Sequence, residues 1–139
     1  MNKEEAKAYI GKVHIGHLAT IGIDNKPRVR PIGAGIFYGD DVYFFTLSTR
    51  GKHAEMRANP NVEIVWFTFE DETQVHIKGK AVLVEDEARR RRFREQVGVI
   101  DKLVPENLRY AYVLYKIHPE KVEMSKGFAT SYTEIPWYS

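Results

Sequence analysis

Between residues 46 and 52 the chain reads Thr46-Leu47-Ser48-Thr49-Arg50-Gly51-Lys52. Three hydroxyls, a guanidinium and an ammonium follow directly on an aromatic, β-prone run, Val42-Tyr43-Phe44-Phe45. A strand that ends at such a corner and opens into a helix gathers hydroxyl donors, two cations and the free backbone N–H groups of a first helical turn. That donor set suits a phosphate. The stretch is not a P-loop, because Gly51-Lys52 lacks the upstream glycine. The residues alone also admit a second reading, a capped surface helix whose cations face water.

The remaining reactive side chains are less organised. His14 and His17 stand three apart in a strand-like run, so they face opposite sides and do not share a metal ion. His53 and His76 could move a proton near a ligand, although surface placement is the ordinary fate of such histidines. Arg89-Arg90-Arg91-Arg92 and Arg94 invite a nucleic-acid reading. On a helix, consecutive residues spread around the axis, and Glu85, Asp86, Glu87 and Glu95 flank them, so a solvated face is expected instead. The net charge of +2 adds no support for a nucleic-acid partner. Glu70-Asp71-Glu72 reads as a solvated turn. No cysteine is present, which removes disulfides, thiolate metal sites and a cysteine nucleophile, and agrees with a cytoplasmic setting. No run approaches the roughly 18 apolar residues of a membrane span, so no membrane role is expected.

The elements that must position these groups are mostly strands. Asn2 caps a first helix, with Glu4 and Glu5 in its first turn and Gly11 near its end. Strands are expected over His14–Ile23, Arg28–Tyr38, Val42–Leu47, Val62–Phe69, Thr73–Val84, Tyr110–Ile117 and Lys121–Ser125. Pro31 marks the second of these as an edge or a bulge, and Gly33, Ala34 and Gly35 leave room for a flat ligand to approach the backbone. Thr49 is the expected cap of a second helix that runs through Ala58 and stops before Asn59-Pro60. Within Thr73–Val84, Val75, Ile77, Gly79, Ala81 and Leu83 share one face, and Gln74, His76, Lys78 and Lys80 the other. A third helix runs from Glu85-Asp86-Glu87 to about Val97, and a short helical turn is expected near Pro105–Leu108. Short turns between strands favour antiparallel pairing. The expected fold is mainly β with α (α+β), one domain over residues 1–139, with six or seven antiparallel strands closing toward a small barrel flanked by helices. The dense aromatics are assigned to the core or an interface, and Tyr132, Trp137 and Tyr138 of the tail to covering a ligand or docking on a second copy.

In their order and spacing, several landmarks resemble the pyridoxamine phosphate oxidase-like family of FMN-binding split β-barrels. They are His17-Leu18-Ala19-Thr20, Lys26-Pro27-Arg28-Val29-Arg30-Pro31, Tyr43-Phe44-Phe45-Thr46 to Lys52, Asn59-Pro60-Asn61-Val62, and Gln74-Val75-His76-Ile77-Lys78-Gly79. The resemblance covers roughly Val13 to Lys126. It implies a homodimer with FMN at the subunit interface and an FMN-dependent oxidoreductase acting on a small molecule or a nicotinamide nucleotide. Carried over by position, Arg30, Pro31, Ile32 and Gly33 lie along the flavin ring, while Thr46, Ser48, Thr49, Arg50 and Lys52 hold the phosphate and ribityl chain. Gln74 reaches the ring from the other subunit, and Trp137 stands near it. The oxidase's C-terminal arginine- and tryptophan-containing pattern has no counterpart here, so vitamin B6 oxidation itself is not implied. A flavin carrier or sensor, or the same barrel around deazaflavin or haem, are the rival readings.

Overall fold

A computed structural model describes residues 1–33, 35–127 and 131–138. Ala34 of the small-residue run and Phe128 and Ser139 of the tail lie outside the described residues. Helix α1 (Lys3–Val13) begins with a reciprocal capping box: Asn2 Oδ1 accepts from the Glu5 amide at 2.9 Å, and the Asn2 amide donates to Glu5 Oε1 at 3.0 Å. The helix continues past Gly11 and stops at His14, whose φ is 70°. Ala6 and Ile10 are buried under it, and Tyr9 Oη donates to the Thr73 carbonyl at 2.6 Å.

The strands are β1 (Ile15–Ile21), β2 (Pro27–Gly33), β3 (Ile36–Tyr38), β4 (Asp41–Leu47), β5 (Asn61–Thr68), β6 (Thr73–Val84), β7 (Tyr112–Ile117), β8 (Lys121–Lys126) and β9 (Thr133–Glu134). All pairs are antiparallel, in the order β2-β1-β5-β6-β7-β4-β3, with β8 on β6 and β9 on β8. This is the split-barrel architecture expected. The strand expected over Arg28–Tyr38 divides into β2 and β3, which sit at opposite ends of the main strand order. Pro31 lies on the terminal strand β2, where a missing donor costs no ladder bond. The two-residue β9 escapes the sequence reading because so short an element has no period.

Strand β6 joins the two halves. One edge pairs with β5; the other pairs first with β8 and then, from Ala81, with β7. Gly79 lies between those two ladders. A Cβ there would come within 2.6 Å of the Ile117 Cγ2 and 3.0 Å of the His118 carbonyl. Gly79→Ala should therefore destabilise the chain by about 1–3 kcal/mol through overpacking, read as a lower urea midpoint; an unchanged midpoint would show that the seam can give.

Alternation along β4 serves two cores. Phe44 joins Leu18, Ile64, Trp66, Val75, Ile77 and Tyr115 in the larger core, which the tail residues Ile135 and Trp137 complete. Tyr43 and Phe45 face a smaller one with Phe93, Ile100, Tyr112 and Leu114. Helix α3 (Glu87–Val97), capped by Asp86, lays Phe93 into this second core. Its arginines pack on tyrosine rings, Arg89 and Arg92 over Tyr38 and Arg90 and Arg94 over Tyr112. Arg89 lies 4.2 Å over the Tyr38 ring, Arg90 donates to the Tyr112 carbonyl at 3.1 Å, and Arg94 pairs with Asp101 at 2.8 Å. Arg90, Arg91 and Arg94 line one hollow with Tyr112, and the partners expected along the helix reduce to one, Glu87 at 3.7 Å from Arg90. Among the described residues, no helix is long and apolar enough to cross a membrane, and no group of three or more His, Asp or Glu side chains is placed to hold a metal ion.

Candidate functional site

The site lies where β2, β4 and helix α2 (Gly51–Ala58) meet the segment between α4 (Ile100–Leu103) and the 3-10 turn Glu106–Ala111. Strand β2 contributes Pro31, Ile32 and Gly33, and the end of β4 contributes Phe45, Thr46 and Leu47. Leu103, Val104, Pro105 and Leu108 close the opposite wall, and Arg50 and Lys52 stand at one end. The cleft has a volume of about 360 Å³. It continues, through Pro31, Arg50 and Lys52, into a cationic hollow of about 310 Å³ that adds Arg28, Arg30 and Gly51. One end is thus apolar and the other strongly positive.

Helix α2 is less conventional than its sequence suggests. It starts at Gly51, with Arg50 extended in the cap position and no side-chain cap bond. Thr49, the expected cap, sits in the preceding turn. The Ser48 amide donates to the Ala111 carbonyl at 2.7 Å, extending the β4–β7 ladder, and the Arg50 amide donates to the Leu47 carbonyl at 2.9 Å, which closes a turn over Ser48 and Thr49 before the helix begins. Ser48 and Thr49 are exposed and do not line the cleft. Of the three hydroxyls at this corner, only Thr46 does, and it is 4% exposed.

Arg30 belongs to the cationic end. Leu18 stands opposite Arg30, and Thr20 opposite Arg28, in the β1–β2 ladder, so all four point to the inner side of the hairpin. There the Arg30 guanidinium is ion-paired with Glu55 of α2, and its Nη1 donates to Thr20 Oγ1 at 2.8 Å. Thr20 Oγ1 in turn donates to Glu55 Oε1 at 2.9 Å, and Arg28 lies 3.7 Å from the other carboxylate oxygen. Glu55 is 3% exposed. The side chain expected along a flavin ring is therefore turned toward the cationic hollow, because a buried carboxylate holds it there; its neighbours Pro31, Ile32 and Gly33 do line the apolar cleft.

Glu55 is the carboxylate of this cluster, against four cations. Neither Arg50 nor Lys52 has an ion-pair partner among the described residues. Partial burial holds the Lys52 ammonium below its usual range, and the charges of Arg50 and Arg30 push it the same way. An anion entering the hollow would relieve that repulsion.

Two expected residues lie elsewhere. Trp137 is 6% exposed in the larger core, with its Nε1 donating to the Asp40 carbonyl at 3.0 Å and its ring beside Phe37. It does not line the cleft; packing against β3 and α1 explains its burial. Gln74 is on the outer face of the sheet, opposite Phe67 in β5 and Ser125 in β8, away from this chain's own cleft. The sequence reading missed Glu55 and Thr20, although the hairpin register alone would have set Thr20, Arg28 and Arg30 on one face. It also missed the Leu103–Leu108 wall, which carries no motif.

The fold is a split barrel, and its cleft is apolar at one end and cationic at the other. The chain belongs to the pyridoxamine 5'-phosphate oxidase family, whose family model matches residues 2–126. A pyridoxine/pyridoxamine 5'-phosphate oxidase of Psychrobacter cryohalolentis is 34% identical over 68 residues, 49% of this chain. The match spans only 32% of that relative's length. Among solved structures, a NimC/NimA family protein of Clostridium acetobutylicum superposes with a TM-score of 0.75 at 20% identity, covering 95% of this chain and 90% of the other. A FAD-binding protein of Mesorhizobium loti gives a TM-score of 0.72 at 21% identity, covering 91% and 96%.

Proposed function

We propose that this chain is a homodimeric flavoprotein that holds FMN along the two-ended cleft, and that it transfers hydride or electrons between the flavin and a small molecule or a nicotinamide nucleotide. The observation that carries this reading is the continuity of the apolar cleft with the hollow formed by Arg28, Arg30, Arg50 and Lys52. The volume suits a cofactor, since such sites commonly measure about 300–1,000 Å³. The donor set suits a phosphate, and the uncompensated charges on Arg50 and Lys52 call for one. Family membership and the flavin named for the Mesorhizobium loti protein point the same way.

In this reading Arg50, Lys52 and Arg30 neutralise the phosphate, and the Thr46 hydroxyl bonds the chain that links it to the ring. Pro31, Ile32 and Gly33 flank the ring, and Leu103, Val104, Pro105 and Leu108 keep water from it. Bound flavin supplies the redox chemistry, so no side chain need act as a nucleophile. The outer face of β1, β2 and β5 exposes Ile15 (56%), Val29 (65%) and Phe67 (37%) beside Gln74. A second copy covering that face would bury these side chains and bring Gln74 to the other copy's cleft. Pyridoxamine phosphate oxidation itself is not proposed.

The absorption spectrum of freshly purified protein tests the reading. Flavin bands and stoichiometric uptake of added FMN are expected, with oxidation of NADH or NADPH marking an enzyme rather than a carrier. Deazaflavin or haem would each give a different band. A colourless protein with a flat FMN titration would overturn the proposal.

A further inference from the structure

On the outer face of the sheet, four polar side chains form one chain of hydrogen bonds. His76 Nδ1 lies 3.3 Å from Glu63 Oε1, and its Nε2 lies 2.7 Å from Gln74 Oε1. Tyr132 Oη donates to the same Gln74 oxygen at 3.1 Å, and its ring stands edge-on to the imidazole at 5.0 Å. The period of β6 puts Gln74 and His76 on one face, and the β5–β6 register sets Val65 opposite His76 with Glu63 on the diagonal.

The donor inventory makes this arrangement two-valued. A carboxylate only accepts, so Nδ1 must carry a proton to bond Glu63. Nε2 then decides what Gln74 does. With a proton on Nε2, the imidazole and Tyr132 both donate to Gln74 Oε1, and the amide NH2 turns outward. Without that proton Nε2 can only accept, so the amide NH2 must turn inward and the oxygen outward. The Tyr132 hydroxyl donates or accepts, and follows either state.

We infer that His76, anchored by Glu63, is a positioning residue that sets whether Gln74 presents a donor or an acceptor at this face, where it meets the flavin ring held by a second copy. The inference rests on the homodimeric flavin reading above. The change needs only a proton exchanged with solvent and a half-turn of the amide. By strand register, the other charged groups on this face include Lys78 and Lys80 on β6, Lys121 and Glu123 on β8, Glu134 on β9 opposite Glu123, and His17 on β1 beyond Val65. Glu123 is occupied by Lys121 at 3.7 Å. An outward NH2 bonds the carbonyl oxygens of an oxidised flavin, so ring binding is tighter when the imidazole is doubly protonated.

Riboflavin is the probe, because the phosphate of FMN has its own proton titrating in the same range. Its affinity, read by fluorescence quenching, should be about tenfold higher at about pH 5.5 than at about pH 8, the worth of roughly one hydrogen bond. His76→Phe should abolish that difference while leaving the thermal midpoint and the sedimenting species unchanged. Gln74→Ala must abolish it too. A flat wild-type profile, a pH dependence that survives in either variant, or a dimer that dissociates at either pH would overturn the inference. If FMN titrations at both pH values show no uptake by any of these proteins, the flavin reading itself falls and takes the inference with it. Normal FMN uptake with a flat riboflavin profile removes the inference alone.

Discussion

Lys52→Ala should weaken FMN binding by about 1.5–3 kcal/mol, roughly ten- to a hundred-fold in Kd, and leave riboflavin binding nearly unchanged. Lys52 lines both the apolar cleft and the cationic hollow, so it stands at their junction, where the proposed reading puts the phosphate. Burial and the charges of Arg50 and Arg30 disfavour its protonated form, and an arriving dianion reverses that balance. Adding Arg50→Ala should deepen the loss for FMN only. The difference between the two ligands is the diagnostic quantity, because a general loss of structure would weaken both. Isothermal titration of the double variant with each ligand measures it. Equal FMN affinity in wild type and double variant would place the phosphate elsewhere.

Glu55→Gln should lower the unfolding free energy by about 2–4 kcal/mol, since removing one partner of a buried ion pair strands the other. The Glu55 side chain is 4% exposed, that of Arg30 17%, and Thr20 ties both together. The glutamine keeps the shape and most of the hydrogen bonds, so the loss reports charge. Added FMN should recover part of it, because its phosphate offers Arg30 another anion and ligand that binds only the folded chain stabilises it by mass action. Urea unfolding with and without FMN checks both statements. A variant as stable as wild type would mean that solvent, not Glu55, carries the charge of Arg30.

Strand periodicity made much of this legible in the sequence. In Thr73–Val84 the expected inner residues Val75, Ile77, Gly79 and Ala81 are buried, and Lys78 and Lys80 are exposed. The Asn2 cap and the Pro31 edge position follow from chemistry local to those residues. The departures arise where a distant partner decides. Thr49 loses the cap position because pairing with the distant strand β7 carries the ladder on to Ser48, and the turn that follows, closed by the Arg50 amide on the Leu47 carbonyl, takes up Thr49. Arg30 turns toward Glu55, which approaches only after α2 folds back on β1. Trp137, which the resemblance sets near the ring, puts its indole N–H on the Asp40 carbonyl and its ring in the core. Composition near a site identifies candidate groups; long-range pairing determines the direction each one faces.

Strand β6 has partners along both edges, β5 on one side and β8 then β7 on the other. Sliding it by a single residue would exchange Gln74 and His76 for Val75 and Ile77 on the exterior, and would have to break three ladders together. The backbone beneath the polar pair that this exterior displays is thus fixed in register along both edges, and only the side chains themselves are left free to turn.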